Sequence, residues 1–137
     1  MKLEGIVKEG KGRANITIAK QKICFQQLGL KNVEKFKDGS INIDISPLKY
    51  EILNFDYFFE NVEWDKDKTE NFGFVTIEKI IYNNCKWKKP GYIYIPHNSP
   101  HFSNKSQFEV ISIEIDDIMN DKGICLIIKE GKLKHYH

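Results

Sequence analysis

The sequence predicts an all-β, mainly antiparallel fold: a small closed β-barrel with one short helix. Three observations carry this expectation. Short β-branched and aromatic runs alternate with turn residues along most of the chain, a period-2 pattern that suits strands. Only one segment has apolar residues at helical spacing before a stop signal. The 137 residues, 41% apolar, suffice for one buried core and no more, so a single domain over 1–131 is expected.

In chain order, strands are predicted at 3–8, 15–19, 40–45, 55–59, 72–82, 85–87, 92–95, 108–115 and 124–129. The turns between them are Lys37-Asp38-Gly39, Asn83-Asn84, Lys89-Pro90-Gly91 and Asp121-Lys122-Gly123, each rich in residues that tolerate tight backbone bends. A helix is predicted over 20–28, with Ile23, Cys24, Gln27 and Leu28 on one face and a left-handed stop at Gly29. The acidic, lysine-rich 65–71 stretch reads as an exposed hairpin tip, and 132–137 as a frayed tail.

The formal net charge of +2 leaves no dense basic stripe. Lys86, Lys88 and Lys89 around Trp87 form the largest basic concentration and read as a solvated hairpin, so nucleic acid is not an expected partner. No apolar run reaches the length needed to cross a bilayer and no signal-peptide core opens the sequence, so a cytoplasmic protein away from membranes is expected. Cys24, Cys85 and Cys125 are odd in number and lack paired spacing, which argues against a disulfide framework or a zinc knuckle.

Four places carry residues with chemistry to offer. The first strand runs into Gly10-Lys11-Gly12-Arg13-Ala14, where two glycines can expose backbone amides to an anion and the one arginine among 21 basic residues offers a planar fork for phosphate. A plain hairpin turn reads the same glycines without a ligand. Ser40 and Asn42 fall two residues apart on a strand, hence on one face, and supply neutral oxygens of the kind Mg²⁺ accepts; two exposed polar strand residues are the alternative. The Pro96–Ser103 loop holds His97 and His101 beside a serine and an asparagine, either as donors for a ligand or as an ordinary connector. Glu109 shares a strand face with Ile111, Ile113 and Ile115, either at a pocket rim or at a strand's wet end.

Taken together, these motifs resemble the archaeal CTP-dependent riboflavin kinases, which are small cradle-loop β-barrels. The family's glycine-spaced first loop is matched by Gly5 to Ala14, and its Gly-Thr-Leu-Asn motif by Gly39-Ser40-Ile41-Asn42. Its Phe-Gly-x-Val strand is matched by Phe72-Gly73-Phe74-Val75. Its histidine-bearing proline loop falls at Pro96 to His101, and its glutamate strand at Glu109 to Ile113, all in the same order. The resemblance implies transfer of the γ-phosphate of CTP, or of another nucleotide, to the primary hydroxyl of riboflavin or a related molecule, with Mg²⁺ as cofactor. It places the nucleotide phosphates on Gly10, Lys11, Gly12, Arg13 and Ala14, the metal on Ser40 and Asn42, and Glu109 near the acceptor hydroxyl, with His101 as second candidate there. Four departures bear on this assignment. Ala14 stands where the family usually has a third glycine, Arg13 replaces a frequently acidic residue, the stretch between His101 and Glu109 is longer than the family's, and 116–123 is a reduced form of a longer family segment. A non-catalytic barrel that binds a nucleotide or flavin as a sensor or interaction module stays open beside the kinase.

Overall fold

The structure is a computed structural model, and it describes residues 1–8, 14–97 and 106–135, with the side chains of Ala14 and Asn15 outside the description. The described residues form nine strands and one α-helix. The strands are β1 (Lys2–Lys8), β2 (Ile41–Asp44), β3 (Tyr50–Ile52), β4 (Tyr57–Asp65), β5 (Lys68–Tyr82), β6 (Cys85–Pro96), β7 (Gln107–Ser112), β8 (Gly123–Ile128) and β9 (Leu133–His135). The helix, α1, spans Ala14–Gln27, and a single 3-10 turn follows at Val33–Lys35.

Seven strands are ordered β4-β5-β6-β7-β2-β1-β8, and a further pairing of β8 with β5 closes six of them into a ring. Closure depends on the length of β5. Its Lys68–Phe74 half pairs with β4, and its Ile77–Ile81 half pairs with β8 on that same edge. A register shift between Ile77 and Lys79 falls within the half that pairs with β8. Such a bulge bends a strand and sharpens its twist. It also resets the alternation, so that Val75, Ile77, Ile80 and Tyr82 all reach the interior.

Inside the ring, Leu3 and Val7 of β1, Ile43 of β2, Ile93 and Ile95 of β6, Phe108 and Val110 of β7, and Ile124, Leu126 and Ile128 of β8 complete the core. A second apolar cluster lies on the outer face of β4, β5 and β6, where α1 docks. Ile18, Gln21 and Phe25, spaced as one helix stripe, turn inward. Phe25 is fully buried and meets Phe72 and Phe74 edge-on, with centroids at 4.9 and 5.0 Å. The helix ends in a Schellman arrangement: the Leu30 amide donates to the Phe25 carbonyl at 2.9 Å and the Gly29 amide to that of Gln26 at 3.1 Å, with Gly29 at φ 95°.

The mainly antiparallel β ring with one helix is therefore as expected, and several element assignments are corrected. The 15–19 segment is the start of α1, not a strand, and the helix face is not Ile23 and Leu28, which are exposed. The 85–87 and 92–95 strands are one continuous strand, β6, because Lys89 takes a left-handed conformation (φ 49°) that lets the chain pass the bulge without turning back. The hairpin tip shrinks to Lys66-Asp67 between β4 and β5. The 132–137 tail is not wholly frayed: Leu133 is buried and β9 pairs with β3, a strand the sequence reading missed. Among the described residues, no helix is long and apolar enough to cross a membrane, and the three cysteines are free.

That C-terminal pairing is held by Asp56, whose carboxylate accepts from Lys132 Nζ at 2.8 Å and from the Thr76 amide at 2.7 Å. Burial raises the Asp56 pKa, but the Lys132 ammonium and the Thr76 donors outweigh burial and hold it below the usual carboxylate value. A carboxyl depressed on folding stabilises the fold above its unfolded pKa, about 4, and loses that contribution as pH falls through the folded value. Asp56→Asn should therefore lower the melting temperature at about pH 6 and show a smaller further loss than wild type at about pH 3; equal acid sensitivity in the two proteins would contradict the assignment. At Gly91, a Cβ would stand 2.0 Å from the Ile111 carbonyl oxygen, a backbone atom that cannot swing aside. Gly91→Ala should cost about 3 kcal/mol in denaturant unfolding.

Candidate functional site

Strand register assembles a lateral row of side chains on the outer face of the ring. Lys8 pairs with Asn42, Asn42 with Glu109, Glu109 with Tyr94, Tyr94 with Phe74, and Phe74 with Tyr57. The row is polar on β1, β2 and β7 and aromatic on β5 and β4, with Tyr94 at the junction. Alternation explains the split, since Ile43, Phe108, Val110 and Ile93 take the inward positions and send Asn42, Glu109 and Tyr94 outward.

At the polar end, Ser40 Oγ donates to Glu109 Oε1 at 3.4 Å, longer than the usual hydroxyl–carboxylate range of about 2.5–3.0 Å. Asn42 Oδ1 is buried and has no hydrogen-bond partner among the described residues. A buried carbonyl oxygen normally finds a donor, because leaving it unmet costs about 1–3 kcal/mol. An oxygen in that state, on a strand position that neighbours Glu109, could accept a donor or coordinate a hard cation. The set consists of hard oxygens with one formal charge, which suits Mg²⁺ completed by water and phosphate oxygens and does not suit zinc. No cluster of three His, Cys, Asp or Glu residues that could hold a metal ion comes together among the described residues.

At the junction, Tyr94 Oη donates to Gln21 Oε1 at 2.5 Å. Gln21 is 1% exposed, a polar side chain in the stripe that α1 turns inward. Burial pushes the Tyr94 phenol well above its usual pKa, and the charges of Glu109 and Glu70 push further in the same direction. Tyr94 therefore stays neutral and serves as a fixed donor. The Tyr94–Gln21 bond ties α1 to the strand next to Glu109, and α1 begins where the glycine-spaced segment ends.

The structure thus brings three of the sequence-derived candidates together: Ser40, Asn42 and Glu109. Glu109 stands at the rim of the covered face, beside Ile111, which is buried under the second core. Gly10, Lys11, Gly12, Arg13 and His101 lie outside the described residues. Of Ala14 only the backbone is described, as the first residue of α1. The flanks of the first loop are placed, however: Lys8 pairs directly with Asn42, and the loop's far end is the N-terminus of α1. Lys8 Nζ itself is bound to Asp121 at 2.7 Å, a hydrogen bond that raises the lysine pKa. Gln21 and Tyr94 were missed in the sequence; the one signal for Tyr94 was its place in the 92–95 strand.

No protein-family model matches the chain, and no curated protein sequence matches it. Chemistry must therefore be argued from the row itself.

Replacing Tyr94 by Phe removes the donor from a buried amide oxygen while keeping the ring in the aromatic cluster. Tyr94→Phe should lose about 1–3 kcal/mol in denaturant unfolding, and adding Gln21→Met should recover most of the loss. A double variant less stable than the single one would mean that Gln21 is held by other contacts.

Proposed function

We propose that the chain is a Mg²⁺-dependent phosphotransferase that moves the γ-phosphate of CTP, or of another nucleotide, to the primary hydroxyl of riboflavin or a related small molecule. The observation that carries this reading is the buried Asn42 Oδ1, without a partner among the described residues and paired in register with Glu109 on one side and Lys8 on the other. The resemblance to archaeal CTP-dependent riboflavin kinases supplies the substrate classes; the row supports the reading with an oxygen ligand beside a carboxylate.

Phosphoryl transfer passes through a loose transition state, so the protein mostly positions reactants and spreads charge over the phosphate oxygens. In this reading Ser40 Oγ and Asn42 Oδ1 hold the metal, which, when bound, supplies positive charge to the phosphate oxygens. The amides of the Gly10–Ala14 stretch, with Lys11 and Arg13, cradle the phosphates. Glu109 orients the acceptor hydroxyl and takes its proton on a carboxylate oxygen, which needs an approach within about 3 Å; His101 is the second candidate for that role. Tyr94 and Gln21 hold α1 in register with the acid.

The test is a thermal-shift panel of CTP, ATP, riboflavin and FMN with and without Mg²⁺, followed by mass detection of product. CTP with Mg²⁺ should raise the melting temperature, since a ligand at a hundred times its dissociation constant contributes about 2.7 kcal/mol, and FMN should form from riboflavin. Asn42→Ala should fold at least as stably as wild type without ligand, because the oxygen it removes is buried and has no partner among the described residues, yet reduce turnover about a hundredfold. Stabilisation by nucleotide or flavin without any product would assign the barrel to ligand sensing. No stabilisation by any of the four would end the reading.

A further inference from the structure

We propose that a cleft at the β5–β6 bulge is a second ligand site, built for a planar, N–H-bearing heterocycle that carries one anionic group. The cleft has a volume of about 320 Å³, at the lower end of the range of about 300–1,000 Å³ typical of small-molecule sites. Its aromatic walls are Phe36, Tyr57 and Tyr92, with both other rings 5.8 Å from Tyr92. It opens at the aromatic end of the row, where Tyr57 lines it, and none of Lys8, Asn42, Glu109 and Tyr94 does.

Three features distinguish the cleft from an incidental dimple. Its backbone is held in uncommon conformations, with Asn32 at φ 67° and Lys89 at φ 49°, and its floor is the register shift that separates Ile77 from Lys79. Bulges and positive φ at non-glycine residues concentrate where a surface is shaped for a ligand. Second, the cleft is braced: Tyr92 Oη donates to the Lys31 carbonyl at 3.0 Å, fixing the segment that carries Lys31 against the aromatic wall. Third, its charges are unspent. Lys31, Lys89 and Glu78 line the cleft, and none of them forms an ion pair among the described residues.

These features define the ligand. A flat ring can lie against the aromatic wall, two lysines favour one anionic group, and a single carboxylate accepts from an N–H on or attached to the ring. A heteroaromatic carboxylate and a nucleoside monophosphate share this chemistry, and separate probes distinguish them.

The experiment is a ¹H–¹⁵N NMR titration of the full chain with indole-3-acetate, with AMP, and with neutral indole-3-acetamide as control. At least one anionic probe should shift the amides of Lys31, Asn32, Phe36, Tyr57, Glu78, Lys89 and Tyr92, and the acetamide should bind about tenfold more weakly than the acetate if that is the probe bound. The exposed double variant Lys31→Gln/Lys89→Gln should keep the wild-type melting temperature and weaken the anionic probe about tenfold. The proposal is overturned if neither anion moves these amides at about 10 mM, or if the double variant binds unchanged. AMP shifts confined to Asn42 and Glu109 would also overturn it, while bearing separately on the nucleotide site.

Discussion

The seat of α1 on the outer face of the ring is the constraint on which the rest of the arrangement depends. Phe25 drives it: fully buried, it lies edge-on to Phe72 and Phe74 and within 6.4 Å of the rings of Phe59 and Tyr94. Edge-to-face pairs add about 0.5–1.5 kcal/mol each beyond the burial of their area. Polar contacts then fix the rotation of the helix. Lys22 Nζ donates to the Phe36 carbonyl at 2.6 Å and to Asp38 at 3.0 Å, and Lys20 pairs with Asp65 at 2.8 Å. These surface pairs are weak individually, so they orient a helix that the aromatic cluster already holds.

The helix also explains which parts of the fold were legible in the sequence. Most strands were, because Leu3 and Val7, Phe108 and Val110, and Leu126 and Ile128 alternate with outward residues as a one-sided sheet requires. The start of α1 was not. Asn15-Ile16-Thr17-Ile18-Ala19 alternates like a strand, and three of its residues have β propensity. Its burial inverts the usual helix code as well: Ile16 and Ile23 are 65% and 62% exposed, while Gln21 is 1% exposed. A stripe with a buried glutamine and exposed isoleucines becomes intelligible only once Tyr94 is known to stand opposite Gln21. Gly29 was readable because a left-handed helix stop is a local requirement. The pairing of β3 with β9 was not, since it joins short segments more than 80 residues apart in sequence, from Tyr50 to His135.

For the candidate site, the sequence offered residue types and order, and the structure adds adjacency. Ser40 and Asn42 were separated from Glu109 by almost half the chain, and nothing in their local pattern linked them. The β2–β7 register makes Asn42 and Glu109 direct neighbours. Tyr94 and Gln21 escaped notice for a different reason: a tyrosine in an apolar strand and a glutamine in a helix both read as ordinary packing or solvent residues until their hydrogen bond is seen.

The row from Lys8 to Tyr57 also shows why chemistry belongs at one end of this face and not the other. Among the described residues, the ring interior is packed with apolar side chains. On the outer face, α1 and the segment after it cover the β4–β6 side, where Phe59, Phe74, Tyr92 and Tyr94 shield one another from water. That cover gives way to polar side chains at β7 and β2. There the low-dielectric wall of the aromatic cluster meets Glu109, Asn42 and Ser40, and a charge placed at that boundary is screened less than it would be in open solvent. A buried oxygen without a donor is costly anywhere, and at such a boundary solvent does less to relieve the cost. The aromatic cluster that seats the helix therefore also forms the apolar wall of the polar site.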